Sequence, residues 1–132
     1  MPFKEDNSLH TSFIIPIYNC QVDFIITNEV EEVALEAGYK QDCSGCEGIT
    51  LGYPSNPSIY CLILRNSTLD EGVIAHECFH LTSKVMEACD IKYDPDNIEP
   101  FNYLLEYIVN QIHGLIKEHK EMIEKDENKV GS

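Results

Sequence analysis

Two short runs of β-favouring residues follow a polar start, Phe13 to Tyr18 and Val22 to Thr27, parted by Asn19 and Cys20. Branched and aromatic side chains in runs of this length predict two strands or a hairpin. Pro16 has no amide hydrogen to donate and confines the first run to a sheet edge. Apolar residues then shift to helical spacing at Val30, Val33, Ala34 and Ala37, which predicts a short amphipathic helix stopped by Gly38. Glycines and prolines between Lys40 and Pro57 mark turns around a strand near Ile49 to Tyr53, and Ser58 to Leu64 reads as a mostly buried strand.

The next boundary is a capping signal, Thr68-Leu-Asp-Glu71, which places a helix start at Leu69. Ile74, Cys78, Leu81, Val85 and Ala88 then recur on one face, the side expected to pack on the sheet. A connector from Asp90 to Asn97 has turn composition, with Asp96 or Asn97 as the next cap. A second long helix is expected from Ile98 to about Ile123, with Pro100 in its first turn and an apolar stripe of Phe101, Leu105, Ile108, Ile112, Leu115 and Met122. Lys125 to Ser132 reads as a frayed polar tail. The pattern as a whole predicts one α+β domain over residues 1–132, a small, mostly antiparallel sheet packed against two long helices.

Length and charge narrow the function. A chain of 132 residues has room for a single core. Lys+Arg 9 against Asp+Glu 23 gives a formal charge of -14, which repels phosphate backbones and anionic bilayers. Neither nucleic acid nor a membrane is an expected partner. No apolar run reaches the ~18 residues of a spanning segment, and MPFKEDNSLH lacks the apolar core of a secretory signal, so a cytoplasmic chain with six reduced cysteines is expected. The acidic surplus also suits a decoy for a basic protein, although the carboxylates are scattered over the whole chain.

His76-Glu-Cys-Phe-His80 lies inside the capped helix. Residues four apart stand one turn above each other, so two imidazoles can meet one metal ion. Glu77 is displaced by about a third of a turn, where a general base can reach a metal-bound water. Neutral imidazole suits zinc, and two nitrogens call for at least a third ligand. The uncharged neighbours Val73, Ile74, Ala75, Cys78, Phe79 and Leu81 predict a dry site facing the second helix.

Eighteen residues separate His80 from Glu99. The pattern His76-Glu77-x-x-His80, eighteen residues, Glu99 resembles the gluzincin metallopeptidases. Ile74-Ala-His-Glu-Cys-Phe-His-Leu-Thr82 with Glu99-Pro-Phe-Asn-Tyr-Leu-Leu105 is similar to short phage and bacterial proteins that carry only the minimal gluzincin core. The resemblance covers about Ser58 to Gln111. It implies one zinc ion on His76, His80 and Glu99, Glu77 as base, a peptide or protein substrate, and the strand before the active-site helix, Ser58 to Leu64, as its docking edge. Tyr103 stands where many gluzincins carry an acidic partner for an imidazole.

Other residues carry weaker signals. Glu99, Tyr103, Glu106, Asn110 and His113 form a polar line at helical spacing. It reads either as a pocket wall, with Tyr103 or His113 donating to an oxyanion and Glu106 as rival ligand, or as a solvated face. Cys43-Ser-Gly-Cys46 could join Cys20 and Cys61 in a structural zinc site or act as a redox pair, but a tight turn with two idle thiols is the expected outcome. Tyr93, Asp94 and Asp96 lack the spacing of a calcium loop.

Overall fold

The computed structural model describes residues 8–130. The amino-terminal segment judged too polar for a signal lies mostly outside that range, as do the last two residues of the tail. The elements are β1 (Leu9–Ile15), β2 (Cys20–Thr27), α1 (Val30–Glu36), β3 (Gly48–Tyr53), β4 (Asn56–Arg65), α2 (Glu71–Ala88) and α3 (Glu99–Val130), with a 3-10 turn over Asn66–Thr68. The class is α+β, as the sequence predicts.

The four strands form one mixed sheet in the order β1-β2-β4-β3. β1 and β2 make the expected hairpin, with Ile15 opposite Cys20 and Asn19 turning at a φ of 50°. Pro16 falls in the loop, and β1 lies on an edge. β3 and β4 are antiparallel, whereas β2 and β4 run parallel. The chain therefore lays β3 at the far side of the sheet and returns to insert β4 between β2 and β3. This overturns the expected docking edge: Ser58 to Leu64 belongs to a central strand whose backbone is paired on both sides, and the open edges are β1 and β3.

Alternation along the central strands divides the core in two. Val22, Phe24 and Ile26 with Tyr60, Leu62 and Leu64 face α2 and α3. Ile25, Cys61 and Ile63 face α1. α1 ends as expected, with Gly38 at a φ of 97° and the amides of Gly38 and Tyr39 donating to the carbonyls of Leu35 and Ala34. The start of α2 differs by two residues from expectation. Thr68 is spent in the 3-10 turn, and Asp70 is the cap, its Oδ1 accepting from the Val73 amide at 2.8 Å. α3 continues past Ile123 through Val130, where Glu121 four residues before Lys125 is the favoured orientation for a helical ion pair. No helix among the described residues is long and apolar enough to cross a membrane.

Arg65, at the end of β4, ties the strand to α1 and to the loops beside it. Its Nε donates to the Cys46 carbonyl at 2.7 Å, one terminal nitrogen donates to the Asn28 carbonyl at 2.9 Å, and the other meets Glu31. Glu31 also accepts from the Gly45 amide. Its own amide and that of Gly45, then the guanidinium, hold its carboxyl below the usual range. The Cys43 to Cys46 turn, closed by the Cys46 amide on the Cys43 carbonyl with Gly45 at a φ of 74°, is thus anchored from outside. It is the tight turn the sequence predicts. All six cysteines are free.

Two measurements test this packing. Arg65→Met leaves two carbonyls without their donor and is expected to cost about 2 kcal/mol or more, read as a lower urea midpoint at an unchanged slope. Burial pushes the Cys61 thiol up to about 11 and the Cys78 thiol to about 12. Both exceed the ~8.5 of an exposed thiol, so the folded chain keeps protons that an unfolded chain would release. That contribution is complete below about pH 8.5 and is lost as pH climbs towards the folded values. Native alkylation near pH 8 should accordingly reach exposed Cys89 and half-buried Cys46 first, and peptide mass mapping should find Cys61 and Cys78 modified only after unfolding. Early labelling of Cys78 would contradict the packing of α2 on the sheet.

Candidate metal centre

α2 positions the motif by burying one face. Ile74, Cys78, Leu81 and Val85 enter the core together with Val73, Thr82 and Met86, while Ala88 is exposed. At 100° per residue, His76 and His80 fall on the side of the helix opposite Cys78. The pair therefore faces solvent, with the His76 side chain 68% exposed. This corrects the dry site expected from uncharged neighbours: Ile74, Cys78 and Leu81 are buried away from the pair, and Ala75 and Phe79 are exposed.

The two rings nevertheless converge. Their Nε2 atoms are 3.2 Å apart and their centroids 4.7 Å, in an edge-on arrangement. Nitrogens bound to one tetrahedral zinc ion at ~2.0–2.1 Å would be separated by about 3.3–3.4 Å. The donor set and its spacing thus fit two corners of such a centre. The same distance permits an Nε2–H of one ring to donate to the other when no ion is present.

Glu77 points the other way around the helix, into the body of the protein, and its side chain is only 7% exposed. A buried carboxylate needs a donor, and β3 provides one: the Thr50 hydroxyl donates to Glu77 Oε1 at 2.8 Å and also lies 3.2 Å from the Glu77 carbonyl. The other oxygen, Oε2, sits 3.8 Å from His76 Nε2. Room for the carboxylate comes from Gly48, where an added Cβ would fall 2.7 Å from Glu77 Cγ. Thr50 and Gly48 were not singled out from the sequence. The available signal was the alternation Gly48-x-Thr50-x-Gly52, which clears one face of a strand of large side chains.

α3 does not bring its polar line to the pair. Its core face is Phe101, Leu104, Ile108, Ile112 and Ile116, which turns Glu99, Tyr103, Glu106 and Asn110 to solvent. Tyr103 is 67% exposed. His113 lies with Leu69, Asp70 and Ile116 at the first turn of α2. The ring of Phe79 packs on Phe101, 5.0 Å between centroids, and Phe101 packs on Tyr93. Among the described residues no group of three His, Cys, Asp or Glu is placed to hold a metal ion, so Glu99 is not assembled with His76 and His80, nor Cys43 and Cys46 with Cys20 and Cys61.

Comparison with known proteins adds no relative: no family model, curated protein or solved structure matches the chain.

Proposed function

We propose that the chain is a zinc-dependent peptidase of the gluzincin kind, a minimal zincin-like domain in which His76 and His80 hold the ion and Glu77 is the general base. One observation carries this reading: two imidazole nitrogens 3.2 Å apart beside a buried carboxylate that its own strand partner, Thr50, holds in place. A helix that used its histidines only for solubility would have no need to orient the residue between them. Glu99, the first residue of α3, is the candidate third protein ligand.

Zinc bound there would supply an acidic water and polarise a peptide carbonyl. The chain's own groups do the rest. The Thr50 hydroxyl engages Oε1, leaving Oε2 on the His76 side to accept the proton of the attacking water and to return it to the leaving amine. The substrate backbone adds along the open edge of β3, the strand that carries Thr50, by main-chain hydrogen bonds. This docking edge replaces the one inferred from the sequence resemblance.

A second reading has its own support. With no third donor beside the pair among the described residues, the centre also suits a catalytically inactive protein that holds a metal for an interaction. Glu77→Gln separates the two. Glutamine keeps an acceptor for Thr50, so fold and metal content should persist while zinc-dependent hydrolysis of a peptide library falls by about 100-fold or more. A wild-type chain that binds zinc yet cleaves nothing in such a library would leave only the interaction reading.

Metal counting tests the ligands directly. One zinc per chain is expected, lost in His76→Ala and His80→Ala and weakened in Glu99→Ala. Retention in Glu99→Ala with loss in Glu106→Ala would assign the third ligand to Glu106.

A further inference from the structure

Cys43-Ser-Gly-Cys46 has no part in the proposed function, yet the fold holds it in a defined turn. The Cys46 amide donates to the Cys43 carbonyl at 3.1 Å, with Gly45 at a φ of 74°. The ends of a β-turn have Cα atoms less than ~7 Å apart, and a disulfide spans ~4.4–6.8 Å between Cα atoms. The backbone therefore brings the pair into the range that a bond between the two sulfurs requires. We propose that Cys43 and Cys46 are a reversible thiol–disulfide site, oxidised by a small-molecule disulfide that enters through the cavity between the start of β3 and the first turn of α2. This inference does not depend on the peptidase reading.

The surroundings of the turn give each sulfur a role. Cys46 is half-buried and lines that cavity of about 500 Å³, whereas Cys43 is buried behind it at 7% exposure. An incoming disulfide meets Cys46 first. Burial, then the Cys46 thiol, Glu31 and Asp42, push the Cys43 thiol up, with Arg65 opposing them. Cys43 is thus the partner that stays protonated until a bond to Cys46 has formed. The turn is also held by groups that contain no sulfur. Asp42 accepts from the Ser44 amide and hydroxyl, Glu31 accepts from the Gly45 amide, and Arg65 Nε donates to the Cys46 carbonyl. Both redox states can therefore share one backbone. Among the other thiols, Cys61 and Cys78 are fully buried, while Cys20 and Cys89 lie within electrostatic reach of each other and form the competing pair. In the reaction, the Cys46 thiolate attacks one sulfur of the small disulfide and expels a small thiolate, leaving a mixed disulfide. Cys43 then gives up its proton, and its sulfur attacks that of Cys46 and expels the second small thiolate. Two protein thiols are oxidised to one disulfide, the small disulfide is reduced to two thiols, and the two protein protons end on them.

The test equilibrates the full chain with oxidised and reduced glutathione, quenches it with acid, alkylates it and maps its peptides by mass. With reduced glutathione at ~0.1 mM, an internal disulfide between Cys43 and Cys46 should exceed glutathione held on Cys46 by about 10-fold or more, because the second thiol acts at an effective concentration of millimolar or above. Dithiothreitol should restore both thiols, and amide spectra should keep the dispersion of the folded chain throughout. Cys43→Ser should stop at the mixed disulfide on Cys46, and Cys46→Ser should leave the buried Cys43 unmodified. The wild-type map decides the matter even where a variant fails to fold. Cys43 and Cys46 thiols that stay free, glutathione that remains on Cys46 of the wild type without closure, a bond between Cys20 and Cys89 in its place, or closure seen only after urea has unfolded the chain would each overturn the proposal.

Discussion

The close approach of α2 to the edge strand β3 is the constraint on which the candidate site depends. A carboxylate inside a helix that packs on a sheet is costly unless a donor meets it. Glu77 therefore fixes what the facing strand can be: glycine at 48, where even a methyl group would collide, and a hydroxyl at 50. Once those are in place, the phase of α2 is set as well, because Cys78 must enter the core next to Glu77. His76 and His80 then follow on the outer side, in contact with each other and, through His76, with Glu77. The orientation of the exposed histidine pair is thus a consequence of the buried residue between them.

The same constraint explains the order of the sheet. The apolar run Tyr60 to Leu64 of β4 is buried where the strand lies between β2 and β3, with helices on both faces. β3 carries the small residues and lies at the edge, where its far side stays open next to α2. A strand that was both the most buried and the docking edge would have to expose its backbone in a place where its side chains admit no water. Placing the roles on two strands removes that conflict.

Elements with a local cause were legible in the sequence. Gly38 stops α1 by the hydrogen-bond pattern that a residue of positive φ permits, and the unbroken apolar run of β4 predicts its burial. Pairing was not legible, because insertion of β4 between β2 and β3 depends on contacts far apart in the chain. The cap of α2 was misplaced because Thr68 and Asp70 both carry an acceptor, and only the 3-10 turn decides between them. The dry site was misjudged for a related reason: counting uncharged neighbours ignores the side of the helix on which each one falls. The histidine pair was legible, since spacing by four within one helix is local. Its support from Thr50 was not, for that partner stands 27 residues away.

The solvent-facing position of Glu99 follows from the packing of the α3 residues that come after it. Rotating α3 to aim Glu99 at the histidines would lift Phe101 and Leu104 from the core, at about 1.5–3 kcal/mol for each large apolar side chain exposed. Unwinding the first turn alone is far less costly. Pro100 has no amide hydrogen to leave unpaired, and the first backbone bond broken is that from the Asn102 amide to the Ile98 carbonyl, 3.0 Å long. Such a bond contributes about 1 kcal/mol net, well below what an added zinc ligand supplies. Phe101 can stay seated on Phe79 while the residues before it change course. Under the proposed function, the first turn of α3, and not the helix as a body, is therefore the part that would have to move to bring a carboxylate to the pair, and Glu99 is the acidic residue that this turn contains.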